Sequence, residues 1–161
     1  MMRLKYQFQL IQAIRDFFLK EEFIDVLTPP MVENPGMETH IHPFEVMSKI
    51  QGKALNRYLH TSPEFAMKKL ISLQDEELDK IFQISYCFRD EPSSEIHRNQ
   101  FLMLEWYRKN ARYEKIMDDC EALITWCLKD LQKKSLPVKF QKLNFTKLTV
   151  QELFQKTIQI D

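Results

Sequence analysis

Two apolar runs with a strand-like period, residues 81–88 and 101–107, flank a short polar loop and constrain this chain more than any other feature. Side chains two residues apart on a strand share a face. Cys87, Arg89 and Glu91 therefore point one way, and Phe88 and Asp90 the other. In the second run Phe101, Met103, Glu105 and Tyr107 oppose Leu102, Leu104 and Trp106. If the runs pair antiparallel across a loop at 92–100, one sheet face collects Arg89, Glu91, Phe101, Glu105 and Tyr107. An arginine, two carboxylates, a phenyl ring and a phenol are costly to bury together unless partners or a ligand satisfy them.

The rest of the chain narrows the chemistry. Gly36 and Gly52 are the only glycines among 161 residues, which excludes a glycine-rich phosphate loop and a dinucleotide-binding fingerprint. Any nucleotide must then be held by side chains. Lysine plus arginine balances aspartate plus glutamate at 23 each, so no broad positive field marks a general nucleic-acid binder. Cys87, Cys120 and Cys127 form no CxxC pair. A reduced, cytoplasmic setting fits them better than a disulfide scaffold or a zinc site. No run approaches 18 apolar residues and the N-terminus has no signal-peptide core, so no membrane association is expected.

Helical periodicity predicts a first helix over 4–22, with Leu10, Ile11, Ile14, Phe17 and Phe18 on one face. A β-rich run from Phe23 to Val32 is closed by Pro29 and Pro30. Residues 33–58 read as loop and short strands, with Asn34-Pro35-Gly36 a turn. A helix is predicted over 63–73, capped by Thr61 or Ser62 with Pro63 in its first turn. The longest amphipathic helix spans 113–134, with a stripe through Ile116, Met117, Cys120, Leu123, Ile124, Cys127, Leu128 and Leu131, and Pro137 marks the break after it. Thr149-x-x-Glu152 is a capping box before a short helix to about Thr157. No internal repeat or domain linker is evident. The fold class expected is α+β, an antiparallel sheet flanked by the 4–22 and 113–134 helices.

The words Thr61-Ser62-Pro63-Glu64, Phe88-Arg89-Asp90-Glu91, His97, Phe101-x-x-x-Glu105 and Met103-Leu104-Glu105-Trp106-Tyr107-Arg108 occur in that order. Together they resemble the class II aminoacyl-tRNA synthetases, and within them the lysyl-tRNA synthetase relatives that attach β-lysine to elongation factor P. The second signature motif of that family falls at about 81–108 and the first, which builds the family's dimer interface, at about 10–32. The family usually carries glycine at the turn after the first helix, where Glu22 stands. The resemblance covers nearly the whole chain and implies that 1–161 is part of a class II catalytic domain.

What the resemblance implies is specific. Arg89 is the catalytic residue, holding the α-phosphate of ATP; Glu91, His97 and Phe101 complete the ATP site, with the Phe101 ring offered to adenine. Ser62, Glu64, Glu105 and Tyr107 contact an amino-acid substrate, lysine or β-lysine. Arg98 aligns with an asparagine that contacts ATP in the family. The reaction implied is ATP-dependent adenylate formation and transfer to a lysine side chain of elongation factor P, with tRNA the less favoured acceptor, in a homodimeric ligase. Magnesium is expected from the family, but its carboxylate ligands belong to a third, glycine-rich motif that these residues lack. A fragment of lysyl-tRNA synthetase and a non-catalytic dimerisation or binding module remain alternatives.

Taken singly, the same residues have plainer readings. Glu64 could close a capping box with Thr61. Arg89 and Glu91 could be a surface ion pair of little worth. His97 could be a solvated loop residue, Phe101 and Tyr107 core, and Cys120 and Cys127 small core residues.

Overall fold

A computed structural model of the chain describes residues 2–36, 38–92, 94–134 and 143–158. In chain order the elements are α1 (Met2–Lys20), β1 (Ile24–Asp25), β2 (Met31–Val32), β3 (Glu45–Ser48), β4 (Lys53–Leu59) and α2 (Glu64–Ile71). A 3-10 turn at Glu76–Leu78 then precedes β5 (Lys80–Phe88), β6 (Gln100–Arg108), α3 (Tyr113–Lys133) and α4 (Val150–Ile158). The expected break at Pro137 lies outside the described residues. Two compact units emerge, Arg15–Tyr113 and a second comprising Met1–Ile14 with Glu114–Asp161.

The Arg15–Tyr113 unit is organised by the β5–β6 hairpin. Its nine-rung antiparallel register runs from Lys80 opposite Arg108 to Phe88 opposite Gln100. Phe82 therefore shares a face with Trp106, and the end of α1 packs there. The Phe18 ring stacks on Phe82 at 4.8 Å, meets Phe23 edge-on at 5.0 Å and lies 5.5 Å from Trp106. Phe18 and Phe82 are fully buried. Such aromatic contacts add about 0.5–1.5 kcal/mol each beyond the area they bury.

A Schellman motif ends α1 and sends the chain into this core. The Phe23 amide donates to the Phe18 carbonyl (2.9 Å) and the Glu22 amide to that of Leu19 (3.1 Å). The geometry requires a left-handed residue, usually glycine, just past the helix. Glu22 adopts it, with φ of 62°.

The β-rich run after α1 splits between two sheets rather than forming one strand. Ile24–Asp25 pairs parallel with β5, giving the order β1-β5-β6, and Met31–Val32 pairs antiparallel with β4, giving β2-β4-β3. Thr28 bridges the gap, its amide and hydroxyl both donating to the Gln83 Oε1 (3.1 and 3.0 Å). The α+β class holds, with two three-stranded sheets instead of one and a parallel pair in the first.

In the other unit, α3 buries Leu123 and Cys127 from the expected stripe, together with Asp119, which the apolar pattern did not include. Ile124 remains 44% exposed. The Trp126 indole donates to the Ala13 carbonyl at 3.0 Å. The capping box at α4 forms as expected. Glu152 accepts from the Thr149 amide (2.7 Å), and the Glu152 amide donates to the Thr149 hydroxyl (3.1 Å).

Candidate functional site

The hairpin face opposite the aromatic core carries the predicted residues. Phe101 stands across from Cys87, Met103 from Ser85, Glu105 from Gln83 and Tyr107 from Ile81. All of them lie within the Arg15–Tyr113 unit. They divide into two clusters, about 13 Å apart along β6 for the four residues from Phe101 to Glu105.

At the loop end, Arg89, Glu91, Pro92, Ile96, His97, Arg98 and Phe101 line a cavity of about 250 Å³. The four residues expected to meet a nucleotide thus share one pocket, and Arg98 joins them. The Arg89 guanidinium lies over the Phe101 ring, 5.2 Å from its centroid. Its Nε is buried without a hydrogen-bond partner among the described residues. A desolvated guanidinium N–H lacking an acceptor is costly, and an anion in the pocket would relieve it.

The loop is held by backbone hydrogen bonds and by the Asn99 side chain. The Arg89 amide donates to the Asn99 carbonyl (2.9 Å), while the Asn99 side-chain amide donates back to the carbonyls of Arg89 (3.0 Å) and Glu91 (2.7 Å). On the far side the Asp90 amide donates to the His42 carbonyl (2.7 Å). His97 is fixed by Ser94, whose hydroxyl lies 2.9 Å from Nδ1 and accepts from the His97 amide at 3.1 Å.

At the other end, the Tyr107 hydroxyl donates to the Glu105 Oε1 at 2.5 Å. Burial pushes the Glu105 carboxyl above the usual range; the Tyr107 hydrogen bond opposes this and the charge of Glu64 adds to it. Burial, with the neighbouring carboxylates, also raises the Tyr107 phenol. Burial lifts the Cys87 thiol to about 11, and the Glu105 charge adds to the effect. That thiol is a small core group and not a nucleophile.

Helix α2 brings Glu64 to the same electrostatic neighbourhood. The expected cap by Thr61 or Ser62 does not form, nor does the alternative box with Glu64: Pro63 occupies the N-cap of α2, no side chain caps it, and the Thr61 hydroxyl donates instead to the Pro35 carbonyl at 2.9 Å. Pro63 is fully buried and Ser62 half-buried. Glu64 therefore has no capping role and accepts from Lys68 at 2.5 Å.

Three residues here carry roles that the sequence reading does not assign. Asn99 staples the loop, Lys68 pairs with Glu64, and Gln83 lies fully buried opposite Glu105 with its Nε2 unpartnered among the described residues. Gln83 alone leaves a signal, a polar residue inside a buried strand. No group of three or more His, Cys, Asp or Glu side chains able to hold a metal ion occurs among the described residues, so the magnesium expected from the family finds no ligand set among them. No described helix is long and apolar enough to cross a membrane.

Comparisons with known proteins identify the family and the fold. The chain is 32% identical over 146 residues to a protein of Aquifex aeolicus named elongation factor P--(R)-beta-lysine ligase homolog, covering 91% of this chain and 45% of that protein. It is 33% identical over 153 residues to the elongation factor P--(R)-beta-lysine ligase of Photobacterium profundum, covering 94% and 44%. The chain therefore spans about half the length of these relatives. The crystal structure of asparaginyl-tRNA synthetase from Pyrococcus horikoshii, complexed with asparaginyl-adenylate, shares the fold with a TM-score of 0.69 at 24% identity, over 82% of this chain and 29% of that one. The family model for tRNA synthetases class II (D, K and N) matches residues 1–161, and the chain belongs to that family.

Proposed function

We propose that this chain carries the ATP- and amino-acid-binding face of a ligase that activates lysine or β-lysine as an adenylate and transfers it to a lysine side chain of elongation factor P. The observation that carries the reading is the placement of an arginine–aromatic pocket and a carboxylate–phenol cluster on one sheet face, about 13 Å apart. A nucleotide at one end and an extended amino acid reaching from the other fit that span. The names of the relatives point to β-lysine and to elongation factor P.

In this mechanism the amino-acid carboxylate attacks the α-phosphorus of ATP in line, and pyrophosphate leaves. The protein's part is positioning and charge stabilisation. Arg89 holds the α-phosphate, because a planar guanidinium bridges two oxygens at fixed spacing. Phe101 offers its ring to adenine, worth roughly 1–3 kcal/mol by analogy with base stacking elsewhere. Glu91 reads the adenine side and His97 approaches the phosphates. Glu64 and Glu105 take the ammonium groups of the amino acid, with Ser62 and Tyr107 completing that end. The segment around Pro29, where Leu27 and Met31 are exposed, is the contact proposed for a homodimer.

The test is ATP–pyrophosphate exchange by the purified chain, with lysine and β-lysine supplied separately, alongside direct ATP binding. Exchange with either amino acid supports the reading, and the preferred one names the substrate. Charging of a lysine tRNA, with no transfer to elongation factor P, would move the acceptor to tRNA. The absence of both exchange and ATP binding would overturn the proposal.

A further inference from the structure

We propose that Lys68 is a built-in stand-in for the substrate: its ammonium holds Glu64 until a diamino acid enters, and then leaves. The inference rests on the reading of Glu64 and Glu105 as the ammonium-binding end. Lys68 and Glu64 are four residues apart on α2 and pair at 2.5 Å. Glu105, near enough for the charges of both Glu64 and Lys68 to act on its carboxyl, keeps its own contact, the Tyr107 hydroxyl, at 2.5 Å. Lys68 is 54% exposed and Glu64 37%, so the ammonium sits at the mouth of the cluster and has open solvent to swing into.

Charge counting decides what enters. Glu64 and Glu105 bring two negative charges and Lys68 one positive. With Lys68 in place the cluster has room for one further ammonium. With Lys68 withdrawn it matches the two ammonium groups of lysine or β-lysine. The pair is easily exchanged, because an exposed pair at this spacing is weak and an incoming ammonium replaces the lost bond in kind. The core is unaffected, since α2 is anchored by buried Met67 and Pro63 and not by the exposed Lys68. In this arrangement Lys68 spares Glu64 an unpaired charge beside Glu105, and a ligand lacking the second ammonium cannot displace it.

The experiment is calorimetric titration of the chain and of Lys68→Met and Lys68→Gln with lysine, with β-lysine and with norleucine, combined with NMR of the lysine side-chain signals. Both variants are expected to bind lysine about fivefold more tightly than the parent chain, the competitor having been removed. Norleucine, with no ε-ammonium, should gain nothing. The Lys68 signal should shift on addition of lysine and stay put with norleucine, a readout that a merely structural ion pair would not give. Unchanged or weaker lysine binding in both variants, or a Lys68 signal unmoved by bound lysine, overturns the stand-in while leaving the substrate reading intact. Failure of the parent chain and both variants to bind lysine or β-lysine overturns the substrate reading and the proposal together.

Discussion

Glu22 sits in a left-handed conformation that a side chain tolerates poorly, and it gains little there. Its ion pair with Lys80, at 3.2 Å, leaves the Glu22 carboxylate largely exposed to solvent and is worth little. Glu22→Gly should therefore stabilise the chain by about 0.5–1 kcal/mol, read as a higher urea midpoint at unchanged slope. A lower midpoint would show that the ion pair outweighs the backbone strain. Arg89 poses the opposite question. Arg89→Ala should lower adenylate formation at least a hundredfold, on the order of 3 kcal/mol at the transition state, with folding unchanged by circular dichroism. Equal loss of folding would make the arginine structural. Glu105 links stability to function. Its carboxyl is raised in the folded chain, so the folded state binds more protons than the unfolded one between the unfolded and folded values. Its contribution is fullest below the unfolded pKa and is lost as pH rises through the raised folded one. Glu105→Gln should therefore raise the melting temperature at pH 7, do little at pH 4, and weaken lysine binding. A Tm gain equal at both pH values would refute this linkage.

The stapled loop between β5 and β6 is the element on which the site depends. Asn99→Ala leaves the carbonyls of Arg89 and Glu91 without their side-chain donor. The expected effect is a severalfold weaker ATP affinity with a loss of about 1–2 kcal/mol in stability, measured by nucleotide titration and thermal melting. An unchanged ATP affinity would mean that the pocket holds its shape without the staple. The hairpin itself is legible in the sequence because alternation fixes faces, and Arg89, Glu91, His97 and Phe101 reach one pocket as that reading requires. Long amphipathic segments are equally legible, α1 and α3 among them. The break between β1 and β2 is not, because Val26-Leu27-Thr28 favours a strand as strongly as its neighbours do. Which sheet each half joins is set by tertiary pairing with β5 and β4. The cap of α2 departs from expectation because Thr61 has a competing acceptor, the Pro35 carbonyl, 26 residues away. Lys68 leaves no sequence signal, since an i,i+4 lysine–glutamate pair is ordinary on any exposed helix.

At the scale of the whole molecule, every residue assigned to the site falls within Arg15–Tyr113, and the second unit contributes none. The two tryptophans of the chain divide in the same way. Trp106 lies on β6 between Glu105 and Tyr107, its ring turned to the Phe18 side and its indole nitrogen buried. Trp126 lies on α3, tied to Ala13. Each unit thus contains its own tryptophan. In a chain carrying Trp126→Phe, tryptophan emission excited above the tyrosine band comes only from the sheet that holds the site, so its spectral change on adding ATP or lysine is assignable to that sheet without any attached dye.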